Sequence, residues 1–131
     1  MKPVYLEFCG LNSFEEKAQI DFTKLLSGGV FGIFGDTGSG KSTILDSIHF
    51  ALYGEIDRAP KSFNDCINHR SDGAYVTFDF EILTDGVRRV YRVKRERRRK
   101  SGTTKAYLFE RTPSGELLAL AEGTRDVDEK I

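Results

Sequence analysis

One stretch limits what this chain can fold into more than any other: Gly35-Asp36-Thr37-Gly38-Ser39-Gly40-Lys41-Ser42-Thr43. It fits the pattern G-x-x-x-x-G-K-[ST], with Gly35, Gly40, Lys41 and Ser42 in the defining places. The glycines let the backbone curl so that several N–H groups face one anion, a shape that Cβ atoms would obstruct. Lys41 adds a point charge able to reach β- and γ-phosphates, and is the one catalytic candidate. The Ser42 hydroxyl suits a magnesium ion bridging those phosphates. Residues Gly35 to Thr43 therefore read as a nucleotide triphosphate cradle.

Such a pattern needs a strand before it and a helix after it, and both are legible. Val30-Phe31-Gly32-Ile33-Phe34 is a short apolar run of the kind that forms a buried parallel strand. Lys41 to Leu52 predicts a helix with Ile44, Leu45, Ile48, Ala51 and Leu52 on its apolar stripe and Gly54 just past its end. That order sets the positive end of a helix under the phosphates.

The strands elsewhere read differently. Val4, Leu6 and Phe8 alternate with Tyr5, Glu7 and Cys9, and Gln19 to Phe22 offers a short partner that pairs back as a hairpin. Glu55 to Asn68 contains Pro60 and lacks a clean period, which predicts a surface connection with one helical turn near Phe63 to Ile67. Tyr75 to Leu83 is the most regular strand, and the tight-turn pair Asp85-Gly86 returns the chain along Val87 to Lys94. Ala106 to Arg111 and Leu117 to Ala121 add two more strands around Pro113-Ser114-Gly115. Asp79 falls on the face opposite Phe78 and Phe80 and reads as a solvated strand residue. Thr124 is expected to cap a last helix over Arg125 to Ile131. The fold class is α/β with mixed α+β character: a phosphate-loop lobe in which an antiparallel layer packs beside a small parallel core with one long helix.

Composition excludes several functions. A chain of 131 residues, 39% hydrophobic and 31% charged, is one soluble domain's worth of material. Cys9 and Cys66 show neither disulfide-framework nor zinc spacing, and no stretch nears the roughly 20 apolar residues of a membrane span. A cytoplasmic protein without a membrane partner is expected. His49 on the helix and His69 in a polar loop lack a metal-ligand partner, and no nucleophile–base set stands out.

Charge is balanced overall at twenty basic and twenty acidic residues, yet nine of the thirteen residues from 88 to 100 are basic. Arg95, Arg97, Arg98, Arg99 and Lys100 are candidates for contact with a DNA backbone. The alternative is a solvated hairpin whose long side chains cover apolar surface and discourage edge pairing. A mobile tip is expected from Arg97 to Gly102.

The segment GDTGSGKSTILDSIHFALYG, Gly35 to Gly54, resembles SbcC-type ATPase subunits of the SbcCD DNA exonuclease, SMC-like members of the ABC ATPase superfamily. LEFCGLNSF, Leu6 to Phe14, and Ile20-Asp21-Phe22 look like that family's opening hairpin. The Leu45-Asp46 pair and the ending Phe50-Ala51-Leu52-Tyr53-Gly54 are more specific to it than the phosphate loop. The resemblance implies that Asp36 to Thr43 hold the phosphates of ATP and Ser42 the Mg2+. It places Asn12 close to the nucleotide, hydrogen-bonding a phosphate oxygen or the ribose, and Asn64 to Cys66 near the base. It also implies an SbcD-type nuclease subunit, a second ATPase head in a homodimer, and DNA as partners.

The family's glutamine loop, long coiled coil, signature motif, apolar run ending in Asp-Glu and switch histidine are absent from this sequence. Residues 1 to 131 are accordingly expected to be an N-terminal lobe truncated before the glutamine loop, binding ATP without efficient hydrolysis. A head fragment of another SMC-like recombination or chromosome ATPase, or a stand-alone nucleotide- or DNA-binding module, are the other readings of the same residues.

Overall fold

The computed structural model describes residues 1–25, 41–56 and 63–131. The expected parallel strand over Val30 to Phe34 and the loop residues Gly35 to Gly40 lie outside the described residues.

Among the described residues, six strands form one antiparallel sheet in the order β2-β1-β3-β4-β5-β6. They are β1 (Lys2–Cys9), β2 (Ala18–Asp21), β3 (Gly73–Thr84), β4 (Val87–Arg98), β5 (Thr104–Arg111) and β6 (Leu117–Glu122). The opening hairpin forms as its alternation implies, with Leu6 opposite Ile20. β1 also pairs along β3, Leu6 lying opposite Phe78 and Phe8 opposite Val76. Hairpin and meander are thus one continuous sheet. The matching alternation of β1 and β3 makes this favourable, since the pairing sets their apolar residues on the same face.

The β3–β4 turn follows the Asp-Gly signal. Thr84 pairs with Val87, and Asp85 and Gly86 adopt φ of 52° and 76°, as a two-residue primed turn requires. The sequence ends this strand at Lys94 and expects a tip from Arg97 to Gly102, but β4 continues to Arg98 because β3 and β5 flank it as far as Gly73 and Thr104.

Helix α1 (Lys41–Tyr53) packs on one face of the sheet, and Gly54 ends it with φ 77° and an N–H bonded to the Phe50 carbonyl at 2.8 Å. Its buried face is rotated from the expected stripe. Thr43, Asp46, Ser47, Phe50, Ala51 and Leu52 are buried, Ile44 and Ile48 only partly, and Leu45 is 60% exposed. Helix α2 (Thr124–Lys130) takes Gly123 as its N-cap residue with no side-chain cap, so Thr124 opens the helix rather than capping it. The shared core contains Leu6, Phe8, Phe50, Val76, Phe78, Val93, Leu108 and Val127.

The connection after α1 is less superficial than its sequence suggests. A 3-10 turn forms over Phe63–Cys66, and then Cys66 and Ile67 are buried, with Ile67 bridged to Leu11.

Candidate nucleotide site

Lys41, Ser42 and Thr43 form the first turn of α1, where backbone N–H groups have no partner within the helix. That turn carries no acidic residue. An ammonium, two hydroxyls and the positive end of a helix suit an anion, so the residues present fit a nucleotide phosphate with its cation. Gly35, Asp36, Thr37, Gly38, Ser39 and Gly40 lie outside the described residues.

Asn12 reaches this turn from the other end of the sequence. Its side-chain amide donates to Thr43 Oγ1 at 3.0 Å, although 31 positions separate the two. The chain around Asn12 is sharply folded. Gly10 has φ 77°, and a Cβ there would lie 2.3 Å from the Gly73 carbonyl oxygen, so only glycine permits this approach. Asn12 itself has φ 48°, a left-handed conformation that asparagine tolerates better than most residues.

The segment expected near the base is brought to the same place. The Cys66 carbonyl accepts from Asn12 N at 2.7 Å, the Asn68 side-chain amide donates to the Asn12 carbonyl at 2.8 Å, and Asn68 N donates to the Gly10 carbonyl at 2.7 Å. Sequence reasoning does not single out Asn68. It sits in a polar turn, and nothing local signals a partner 56 positions away.

The basic run divides. Arg95 is fully buried: Nε donates to the Ala51 carbonyl at 2.7 Å, and Nη2 to the Leu52 carbonyl at 3.1 Å and to Asp128 at 2.6 Å. It neutralises the negative end of α1 and so is corrected from a DNA-contact candidate to an internal cation. The register anticipates this, since Arg95 lies two positions from buried Val93 on the core-facing side of β4. Arg99 is also engaged, its Nη2 donating to the carbonyls of Asn68 at 2.7 Å and Ile67 at 3.1 Å and its Nε to Ser71 at 3.4 Å. Arg97 is partly buried and donates to Thr104 Oγ1 at 3.3 Å. Arg98 and Lys100 are exposed.

Asp79 is the second correction. It does lie opposite the core face, but its side chain is 1% exposed and accepts two bonds from Arg92, at 2.6 and 2.8 Å, with Arg111 at 3.8 Å. Hydrogen bonding to Asp79 holds the Arg92 guanidinium above its ordinary pKa. Nearby, Glu7 accepts from Tyr5, Gln19 and Tyr75. Burial pushes its carboxyl up, yet these three donors together hold it below the usual carboxylate range. Burial, reinforced by Glu7, pushes the Tyr75 phenol up to about 12.

His49 Nδ1 lies 2.9 Å from the Glu55 carbonyl, and His69 is exposed in its turn. Among the described residues no group of three or more metal-ligating side chains occurs, and no helix is long and apolar enough to cross a membrane.

A family model described as an AAA domain matches residues 5–131. The chain belongs to that family. Within it, this AAA domain is of the SbcC type. It is 42% identical to the C subunit of nuclease SbcCD from Clostridium acetobutylicum over 134 aligned positions, 99% of this chain and 11% of that one. The Bacillus subtilis protein of the same name is 49% identical over 65% of this chain and 8% of its own length. The Deinococcus radiodurans one is 33% identical over 100% of this chain and 14% of its own. The chain thus spans about a tenth of the length of these relatives. Among solved structures, an SMC head domain from Thermotoga maritima superposes with a TM-score of 0.59 at 26% identity, covering 99% of this chain and 42% of that one. The α/β class is that of an ABC-type ATPase lobe.

Proposed function

We propose that this chain is the ATP-binding lobe of an SbcC-like ATPase that works with an SbcD-type nuclease subunit on DNA ends and hairpins in double-strand-break repair. The observation that carries the reading is the 42% identity, across 99% of the chain, to a protein named for the SbcCD nuclease. Lys41, Ser42 and Thr43 at the start of α1, with Gly35 to Gly40 before them, would hold the phosphates, Ser42 would ligand Mg2+, and Asn12 would approach from the β1–β2 turn. The ion supplies charge stabilisation for phosphoryl transfer. Lys41 adds its own positive charge, and the helix N-terminus orients the anion.

In the whole protein two such heads would sandwich ATP, each offering its phosphate loop to the other. Of the candidates Arg95, Arg97, Arg98, Arg99 and Lys100, the exposed Arg98 and Lys100 are the side chains best placed to meet a DNA backbone. The likeness to an SMC head keeps a second reading, the head of another SMC-like chromosome or recombination ATPase.

The lobe is expected to bind nucleotide without sustained hydrolysis, because the sequence holds no apolar run leading into Asp-Glu to activate water. Calorimetric titration with MgATP tests this: the wild-type chain binds and Lys41→Ala does not. A folded wild-type chain that fails to bind would overturn an autonomous binding lobe, and multiple turnovers by the pure chain would overturn the absence of hydrolysis.

A further inference from the structure

We infer that Asn68 is a positioning residue for the candidate nucleotide site: it sets the place of Asn12 against the first turn of α1, with Arg99 as its anchor. The inference rests on the nucleotide-binding reading for its consequence, though not for its geometry.

Asn12 is held at three points. Its N–H donates to Cys66 at 2.7 Å, its carbonyl accepts from Asn68 Nδ2 at 2.8 Å, and its own amide donates to Thr43 Oγ1 at 3.0 Å. Two of these bonds come from the 66–68 segment, and they bracket a residue at φ 48°. For a non-glycine residue that conformation costs on the order of 1–2 kcal/mol and persists only where its surroundings enforce it. Asn68 supplies part of that enforcement.

Asn68 is itself fixed. Its Oδ1 accepts from Arg70 N at 2.9 Å, its N–H donates to Gly10, and its carbonyl accepts from the Arg99 guanidinium at 2.7 Å. Arg99 is tied to the same turn again through its own N–H, which donates to the Asp72 carbonyl at 2.8 Å. A planar cation with fixed donors can hold several carbonyls at once, which a lysine cannot do in the same geometry. The sequence Arg99, Asn68, Asn12, Thr43 is therefore an unbroken line of hydrogen bonds from the end of β4 to the helix on which Lys41 and Ser42 sit. An amide side chain has two donors and one acceptor, and the Thr43 bond uses one donor. Where Asn12 sits decides where the other two are presented.

The test pairs Asn68→Ala with Asn12→Ala in a double-mutant cycle on the 131-residue chain, reading MgATP affinity and the NMR shift of the Thr43 methyl without nucleotide. Asn68→Ala is expected to weaken MgATP binding about fivefold, the equivalent of one hydrogen bond, and to move the Thr43 methyl. Neither effect should persist in the Asn12→Ala background. Asn68→Asp separates positioning from a role within the turn, because it keeps an oxygen that accepts from Arg70 and replaces the donor to Asn12 with a charged carboxylate oxygen that cannot donate. It should behave as Asn68→Ala does. Wild-type behaviour of Asn68→Asp, an unmoved Thr43 methyl in Asn68→Ala, or an affinity loss that survives in full without Asn12 would each overturn the inference. A Thr43 methyl that responds in a chain binding no MgATP would instead sink the nucleotide reading and leave the link from Asn68 to Thr43 standing.

Discussion

The two faces of the sheet exclude water by different means. On the face under α1, Leu6, Phe8, Val76, Phe78 and Val93 are each at most 1% exposed, and burial of carbon surface is the stabilising term. On the opposite face Asp79 is equally hidden, but by the forked Arg92 and by Arg111, while Glu7 sits among Tyr5, Gln19 and Tyr75. The carbon face tolerates one intrusion, Arg95, because the carbonyls ending α1 need a cation there. One Arg95 nitrogen, Nη1, has no hydrogen-bond partner, so even this accommodation is incomplete. A sheet face can thus be closed by packing or by pairing, and the cost of disturbing it depends on which.

The sharpest way to break the contrast is Phe78→Ala, which opens a cavity in the packed face. A loss of about 3–5 kcal/mol is expected in denaturant unfolding, a large share of the stability of a domain this size. A loss below about 1 kcal/mol would mean that the face is loosely packed. Next comes the basic run itself. Arg95→Met keeps volume but strands the Ala51 and Leu52 carbonyls, and should cost about 2 kcal/mol. Arg98→Ala with Lys100→Ala should change stability by less than about 0.5 kcal/mol. Equal costs for the two would erase the distinction between core-facing and outward-facing members of the run.

Titration addresses the paired face. The Tyr75 phenol has a folded pKa of about 12, above its ordinary value of 10.0. A raised pKa favours the neutral form in the folded state, so its contribution is fully present below about 10. It is lost as pH climbs from about 10 toward 12. Glu7 runs the opposite way: its lowered pKa contributes stability above the ordinary carboxylate range, which is lost as pH falls through it. Thermal melts between neutral and strongly alkaline pH should show a decline that is shallower in Tyr75→Phe. Identical slopes in the two proteins would remove the phenol from the account.

Legibility in the sequence follows the range of the interaction. The helix after the phosphate-loop pattern, the alternation of β1 and β3, and the Asp85-Gly86 turn are readable because each is set by residues within a few positions of one another. The stripe of α1 departs from its expected face for a related reason. Hydrophobicity selects Leu45, while the helix turns Thr43, Asp46 and Ser47 inward because the sheet and the Asn12 turn meet it on that side. Sequence alternation assigns Asp79 to the correct face and the wrong environment, since only the register with β4 sets Arg92 opposite it.

What the sequence determined by itself was the set of elements and a phosphate-binding pattern at the head of a helix, both local consequences of backbone sterics and of side-chain period. Tertiary structure alone decided the company these elements keep. The bonds from Asn12 to Thr43, from Asn68 to Asn12 and from Arg95 to the end of α1 span 31, 56 and 44 positions. No local propensity encodes such pairs. They exist because β1 lies between β2 and β3, which carries the Gly10–Asn12 turn over α1, and because the strand alternation of β4 sends one arginine of a basic run into the core.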